Sequence, residues 1–373
     1  MIKKKLFIFI LYLILNELIY HKKIKKRNLK DFFKIKDQKN SVFIALYEKY
    51  HLECLPGFIK YFNNLKYKVD LLINSRSIES IGKMKLSKYI RIFQYKNLTE
   101  ILNNLKLLKK IILNYKFLFL ITLEKSKIKF YKDLGYYEHP NSLFIIHHIN
   151  ELYSIGLKRY ILQNKVFSLL DTGKILYLNP CYFGKFKCSF KKNKIPKFFI
   201  TSTKHRNYNH FLKGIYYLKN NSIDFEIYVV GRSGKFGINN VPKELRNYFH
   251  FYNNITYQKM FKIIIKSDFI ILNLYPNRTE DIIYKIYRAT GNAQISYGFC
   301  KPSLVENSFS SIYKFSNNNS IIYNNNNIHL AMMEAAKMTN KKYINLCKNL
   351  NLLRKNIYKI SLNNLKNILN KYK

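Results

Sequence analysis

The sequence predicts an α/β protein built from two tandem parallel sheets, and three observations lead to this prediction. Short apolar runs rich in β-branched and aromatic residues alternate with segments of helical periodicity, as in parallel sheets that helices cover on both faces. The length of 373 residues suits two domains of roughly 150 to 180 residues each. The alternation lapses at 181–197, a stretch with proline, glycine and lysine that we interpret as the linker between the domains.

The first predicted domain, residues 40–180, opens with a strand, a helix and a second strand. The strands are the apolar runs SVFIALY at 41–47 and KVDLLIN at 68–74, and Pro56 between them suits the first turn of a helix. This order of elements indicates an open parallel sheet. The pattern continues with predicted strands at 90–95, 117–123, 142–149 and 173–179 and predicted helices at 98–114 and 151–164.

The second predicted domain, residues 198–350, repeats this pattern and is followed by a C-terminal helix at 351–373. Thr256 can cap a helix, and we predict one over 256–267. The Asn-rich stretch at 316–327 is predicted to be a loop. The predicted strands of this domain are 198–203, 224–230, 249–253, 268–275 and the segment PSLV at 302–305.

One helical pattern of the second domain is interrupted. The stretch KIYRATGNAQISYGF at 285–299 has apolar helical periodicity, but Thr290, Gly291 and Asn292 stand in its middle, although the chain has only 12 glycines. If one helix ends near Arg288 and the next begins at Thr290, the second helix offers free backbone N–H groups to a phosphate, which glycine lets approach closely. The alternative interpretation is that Gly291 only permits close helix packing or a kink.

The composition limits the classes of partner. With 66 Lys and Arg against 21 Asp and Glu, the formal net charge of +45 would ordinarily indicate nucleic acid or an anionic membrane. The abundant residues are those with codons rich in A and T, and lysine is spread along the whole chain, so we discount the charge and do not expect nucleic acid as a partner. Five cysteines without a CxxC spacing predict neither a disulfide framework nor a metal site and fit a reducing cytoplasm.

The first predicted segment, 1–39, is basic and apolar. Its apolar run from Leu6 to Tyr20 would reach only ~22 Å as a helix, which is short of the ~30 Å hydrocarbon core of a membrane. Lysines flank the run on both sides, a pattern that suits a helix lying in the interface of an anionic membrane. A core helix with a basic tail and a signal anchor are the alternatives, and the expected location is the cytoplasm, peripheral on the inner face of the membrane.

Ligands of open parallel sheets bind beyond the carboxyl ends of the strands, which selects candidate residues in both domains. In the second domain the basic residues Lys204, Arg206 and Arg232, with Gly231, follow predicted strands and suit an anion. Neither a Walker A loop nor a GxGxxG fingerprint is present, which argues against an ATPase or an NAD-dependent enzyme.

The same criterion selects four residues in the first domain. His51 and Glu53 follow the first strand, and His147 and His148 lie at the end of a later one. These side chains can act as a base or orient a sugar hydroxyl, whereas the alternative is a purely structural role. No HExxH or other spaced set of metal ligands is present in the sequence.

The second half carries, in this order within 197–350, the motifs KFFITSTKHRN, FEIYVVGR, SDFIILNLYP and YGFCKPSLVEN. In kind and order these motifs resemble the donor domain of group 1 (family 4) glycosyltransferases. The resemblance implies the GT-B fold, in which two Rossmann-like doubly wound domains face each other across a cleft. It also implies a nucleotide-sugar donor in the second domain and the acceptor in the first.

The resemblance implies roles for individual residues. The diphosphate would be held by Lys204 or Arg206 and by the helix start at 290–292, and Gly231 would leave room for the nucleotide. His147 or His148 would contact the transferred sugar. The family's Glu-x7-Glu pair is absent, and Gln294 lies near the place of its second glutamate.

The function that follows from this resemblance is a hexosyltransferase of the retaining type that uses neither a metal nor a cofactor. Arg206, Arg232 and the amides at Gly291 would stabilise the leaving diphosphate, since no DxD pair follows a strand. The expected acceptor is a glycan or lipid-linked precursor of a cell-surface polysaccharide. A catalytically inactive GT-B-like protein that binds sugar nucleotides or glycans is the alternative.

Overall fold

The structure is a computed structural model. It describes residues 27–36, 38, 40–46, 51–77, 89–123, 125–149, 155–184, 186, 190–202, 206, 208–231, 236–324 and 327–372. The predicted interface helix lies outside the described residues. Within these ranges no helix combines the length and the apolar character needed to cross a membrane.

The first sheet has eight parallel strands among the described residues, in the order β1-β4-β3-β2-β5-β6-β7-β8. Its strands are β1 Arg27–Asn28, β2 Ser41–Leu46, β3 Lys68–Asn74, β4 Ile90–Tyr95, β5 Phe117–Leu120, β6 Ser142–Ile146, β7 Val166–Ser168 and β8 Leu176–Tyr177. The helices are α1 Leu29–Phe32, α2 Leu55–Asn64, α3 Leu98–Asn103, α4 Leu105–Ile112, α5 Ile128–Asp133 and α6 Lys158–Leu162.

The second sheet has six parallel strands in this part of the structure, in the order β11-β10-β9-β12-β13-β14. The strands are β9 Lys197–Ser202, β10 Glu226–Gly231, β11 Phe249–Asn253, β12 Phe269–Ile271, β13 Ser303–Glu306 and β14 Ile321–Tyr323. The helices are α7 Asn209–Asn220, α8 Tyr257–Lys266, α9 Thr279–Ile286, α10 Gly291–Phe299, α11 Asn307–Ser310, α12 Ile328–Lys337 and α13 Asn340–Lys371.

The predicted architecture of two doubly wound parallel sheets is confirmed. Central strands such as β5, β6 and β12 are buried along their whole length, because helices pack on both faces. The predicted cap of α8 is also present, since the Thr256 hydroxyl accepts a hydrogen bond from the Lys259 N–H at 3.3 Å.

The first sheet begins earlier than the sequence analysis places it. The end of the predicted 1–39 segment, from Arg27 on, joins the sheet by pairing β1 with β4. Asn28 caps α1 by accepting from the Asp31 N–H at 2.9 Å, and Leu29 and Phe32 are buried in the core. Lysines surround these two apolar residues in the sequence, so no apolar run indicates that they are buried.

Besides β1, two further strands are absent from the sequence prediction. β14 lies inside the Asn-rich stretch, so the loop predicted over 316–327 is wrong at 321–323. Its residues Ile321 and Tyr323 are buried, and Ile321 pairs with Leu304 of β13. β7 is a strand of only three residues, too short to show a period.

The last helix begins before the predicted boundary and connects the domains. α13 has 32 residues and starts at Asn340, where the Thr339 hydroxyl accepts from the Lys342 N–H at 3.3 Å. Its first half packs in the second domain through Tyr343, and its second half reaches the first domain, where Leu365 is buried. The Ser361 hydroxyl there accepts a hydrogen bond from the Asn179 N–H at 3.0 Å.

Candidate active-site cleft

The carboxyl ends of the first sheet's strands face the second domain. The turn after β2 approaches α10, with Cys54 Sγ 3.9 Å from Gln294 Oε1. The segment after β6 is joined to the chain between α9 and α10 by a hydrogen bond of 3.0 Å from the Ile149 N–H to the Tyr287 carbonyl. This is the edge at which open parallel sheets bind ligands.

The first-domain wall of the cleft contains three of the predicted residues. His51 has a left-handed backbone, with φ 64° and ψ 19°, and its ring stacks on that of His147 at 3.9 Å between centroids. Its Nδ1 lies 3.8 Å from Glu53 Oε1. Burial raises the pKa of the Glu53 carboxyl, but the neighbouring charge of His51 and other nearby polar groups lower it, and the net effect holds this pKa below its ordinary value.

His147 is held as a neutral ring. Its Nε2 lies 3.1 Å from the Ile121 carbonyl, which can only accept a hydrogen bond, so Nε2 carries the proton. Burial, together with the charge of His51, lowers the pKa of His147 well below its ordinary value. At neutral pH its Nδ1 is therefore an acceptor. His148 lies beside it and is partly buried.

The second-domain wall contains the predicted helix break, which the structure confirms. α9 ends at Ile286 and α10 begins at Gly291, after Thr290 in an extended conformation with no side-chain cap bond. Gly291 is exposed, and no atom lies within 4 Å of the position that a Cβ would take. The N-cap side chain thus leaves the amides of this first turn uncapped, the space beside Gly291 is open, and the positive end of the helix dipole lies here.

Asn292 fixes that turn to the sheet. Its Oδ1 accepts from the Thr201 hydroxyl at 3.0 Å, and its Nδ2 donates to the Ile271 carbonyl at 2.9 Å. Both polar atoms of this buried side chain are therefore used at the ends of β9 and β12. The Asn292 side chain is therefore not available to a ligand, and only its backbone N–H can still bind one.

Gln294 lies where the two domains meet. Its side chain is buried, with 4% exposed, and its Nε2 has no hydrogen-bond partner among the described residues. It lines a small cavity whose polar walls come from both domains, including Asp171, Asn179 and Thr290. A buried amide donor without a partner is available to a substrate hydroxyl or a water molecule.

Arg206 is already paired within the protein. Its side chain is 8% exposed, with Nη1 2.7 Å from Oδ1 of the fully buried Asp281. Its guanidinium lies 4.3 Å from the centre of the Tyr284 ring. The other carboxylate oxygen of Asp281 accepts from the Tyr275 N–H at 3.1 Å. A diphosphate at Arg206 would share this guanidinium with Asp281.

Three further predicted donor residues have different outcomes. Gly231 is explained by packing, because a Cβ there would lie 2.5 Å from the Ser202 carbonyl oxygen on the neighbouring strand. Lys204 and Arg232 lie outside the described residues.

Asn273 is a candidate that the sequence analysis does not identify. It is 1% exposed, its φ is 52°, and neither polar atom of its side chain has a partner among the described residues. It follows β12 by two residues, next to the point where Asn292 holds α10. The sequence gives only a weak signal for this residue, because all that it shows is an asparagine, a residue that tolerates a left-handed backbone well.

No protein-family model and no curated protein matches the sequence. Among solved structures, a glycosyltransferase from Rickettsia africae matches with a TM-score of 0.59 and 14% identity over 90% of this chain and 99% of that chain. TarM matches with a TM-score of 0.58 and 10% identity over 89% and 99% of the two chains. HepE from Anabaena, in complex with UDP-glucose, matches with a TM-score of 0.53 and 10% identity over 88% and 99%.

These structural neighbours are GT-B glycosyltransferases, and each matches along almost its whole length. At 10–14% identity the similarity shows the fold. The chain therefore has the GT-B fold of glycosyltransferases, with two Rossmann-like domains.

Proposed function

We propose that the protein is a glycosyltransferase that moves a sugar from a nucleotide-sugar donor to a hydroxyl of a glycan or lipid-linked acceptor. One observation carries the proposal: the uncapped first turn of α10, open at Gly291, lies across the cleft from His51 and His147. An anion site therefore faces a set of groups suited to sugar hydroxyls, within a GT-B fold.

The donor is a nucleoside diphosphate sugar whose phosphates bind at the start of α10. Backbone N–H groups and the helix dipole suit a phosphate there. Arg206 lies in the same domain, and Lys204 and Arg232 are predicted to contribute charge. The complex of HepE with UDP-glucose supports this class of donor.

The protein accelerates transfer by stabilising the charge on the leaving diphosphate, without a metal bound to it. Amides fixed by the Asn292 side chain need no reorganisation as that charge develops. The neutral His147 accepts a hydrogen bond from the sugar through Nδ1, and the Gln294 amide donates one. We propose retention of the anomeric configuration, as in the family that the sequence resembles.

The acceptor belongs to cell-surface polysaccharide synthesis and reaches the enzyme at the inner face of the membrane. The basic and apolar residues before Arg27 would bring the protein there. Deletion of 1–26 spares β1 and should reduce cosedimentation with anionic liposomes. Equal sedimentation of both chains would rule out this anchor.

An inactive GT-B-like protein that binds sugar nucleotides is the second candidate. The observation that favours it is the absence of the Glu-x7-Glu pair, with the uncharged Gln294 near the place of one glutamate.

The deciding experiment exposes the protein to UDP, GDP, ADP, TDP and CMP sugars and follows thermal stability and nucleotide release together. A donor at about 100 times its dissociation constant adds ~2.7 kcal/mol to the free energy of unfolding. Stabilisation with slow nucleotide release identifies a transferase and its donor. Stabilisation without release, even with polyprenyl-phosphate and glycan acceptors present, favours the inactive candidate. No stabilisation by any donor contradicts both.

A further inference from the structure

The turn after β2 brings three metal-binding side chains together. His51, Glu53 and Cys54 each offer one ligand atom, and these nitrogen, oxygen and sulfur atoms all lie within 4.8 Å of one another. The three residues lie within four positions of the chain, so one short turn sets their spacing. We propose that this turn is a binding site for a borderline-soft divalent cation, with Zn²⁺ as the best match.

The backbone of the turn favours this arrangement at a cost in conformational energy. His51 is in the left-handed region, which a histidine adopts only where its surroundings enforce it. The next three residues form a single 3-10 turn, Leu52–Cys54. This conformation places His51 Nδ1 3.8 Å from Glu53 Oε1. Binding of one cation by both side chains would offset the conformational cost of the left-handed backbone at His51.

The polar atoms of the cluster have unused capacity. Glu53 Oε2 is buried and has no hydrogen-bond partner among the described residues. Cys54 is fully buried, and within the part of the chain that the structure describes its sulfur has only the long 3.9 Å contact with Gln294 Oε1. A cation between the three side chains would satisfy the carboxylate and bind the sulfur as a thiolate, whose proton is released to solvent.

The ligand types select the cation. A thiolate, an imidazole and a carboxylate together suit Zn²⁺, whereas Mg²⁺ and Ca²⁺ bind through oxygen atoms. Tetrahedral zinc with bonds of about 2.0–2.3 Å needs ligand atoms roughly 3.3–3.6 Å apart, so small side-chain rotations close the site. Three protein ligands leave a fourth position for water or an acceptor hydroxyl. The cation site adjoins the first turn of α10, since Cys54 Sγ lies 3.9 Å from Gln294 Oε1, but cation binding can be measured without sugar transfer.

The test is cobalt binding to the full-length protein after removal of metals with a chelator. Tetrahedral Co²⁺ bound to a thiolate gives a sulfur-to-cobalt charge-transfer band in the near ultraviolet and strong visible bands. We expect both bands to saturate at one Co²⁺ per chain and to disappear when Zn²⁺ is added. Absence of the charge-transfer band would overturn the proposal.

Variants assign the ligands. Cys54→Ser should abolish the charge-transfer band, whereas Cys347→Ser, at a buried cysteine of the second domain, should leave it unchanged. His51→Asn tolerates the left-handed backbone and removes the imidazole, so cobalt affinity should fall at least tenfold while circular dichroism stays the same. A band that persists in Cys54→Ser, or an affinity unchanged in a folded His51→Asn, contradicts the site.

Discussion

At the scale of single residues, the polar groups of the cleft divide into those that hold the protein together and those that remain available to a ligand. Asn292 has no free side-chain atom, whereas Gln294 and Asn273 keep buried polar atoms without partners among the described residues. Gly291 contributes only backbone, in open space. Residue type alone does not separate these roles, because they depend on neighbours far apart in the chain.

Gly291→Pro tests the amide at the start of α10. Proline is favoured at the first helical position and lacks an N–H, and the extended Thr290 before it suits a proline. The helix should persist while one phosphate donor is lost. A hydrogen bond to a charged group contributes about 1.5–3 kcal/mol, so donor affinity should fall roughly tenfold or more.

Calorimetric titration with the donor measures this loss. Gly291→Ala keeps the N–H and is the matched control, for which we expect affinity near that of the unsubstituted protein. Equal affinities for the proline and alanine variants would remove this amide from the donor site.

The buried His139 is expected to make the free energy of unfolding depend on pH. The buried ring donates from Nε2 to the Tyr115 carbonyl at 2.9 Å and accepts at Nδ1 from the Asn141 N–H at 3.1 Å. Burial lowers the pKa of His139, so the unfolded chain takes up this proton at higher pH than the folded one. The free energy of unfolding should therefore decrease as pH falls below about 6.5.

Urea unfolding across pH 5 to 8 measures this slope. His139→Gln should make this slope shallower. An unaltered slope in a folded His139→Gln would contradict the prediction.

At the scale of elements, most strands follow from the sequence, because a strand buried on both faces is a continuous apolar run. The bounds of β3, β4 and β11 agree with those predicted, and the break between α9 and α10 follows from Thr290, Gly291 and Asn292. Strands of two or three residues, such as β14, are set by pairing with neighbours, which one sequence does not reveal. The pairing of Arg206 with Asp281 is hidden for the same reason, since 75 positions separate these residues.

Arg206→Ala tests the contribution of the Arg206–Asp281 ion pair, which holds Arg206 against α9. The substitution leaves the buried Asp281 carboxylate with the more distant Arg278, at 3.7 Å, as its cation. Loss of one partner from a buried ion pair costs about 3–5 kcal/mol, so we expect a decrease near 3 kcal/mol in the free energy of unfolding.

Chemical denaturation checks this value. Lys342→Ala, which removes an exposed pair with Glu334 at 2.8 Å, is the control and should change stability by less than about 1 kcal/mol. Arg206→Ala with unchanged stability would mean that Asp281 is satisfied without it. Any loss of activity in this variant must be measured under conditions where it is folded.

At the scale of the whole molecule, the two domains share one apolar cluster. Phe183, from the predicted linker, stacks on Phe299 at 5.3 Å between ring centroids, and α13 adds Leu365 and Ile368 to the same cluster. The linker is therefore partly buried, which its irregular sequence did not indicate. The cleft is formed by packing as well as by chain connection.

Leu365→Ala tests the contribution of α13 to the first domain. Leu365 is fully buried, and removing such a side chain costs about 2–5 kcal/mol. Leu352→Ala lies on the same helix at a position with 62% exposure, and we expect it to change stability by less than about 0.5 kcal/mol. Equal stabilities of the two variants would show that the end of α13 is only loosely held.

Because α13 ends on the first domain, the second domain is connected to the first at both of its ends. Arg27 in β1 and Tyr372, whose hydroxyl donates to the Gln163 carbonyl at 3.0 Å, both lie on the first domain. The second domain is thus an insertion joined at two crossings, the linker and α13. Any rotation of one domain relative to the other must therefore bend the chain at these two crossings.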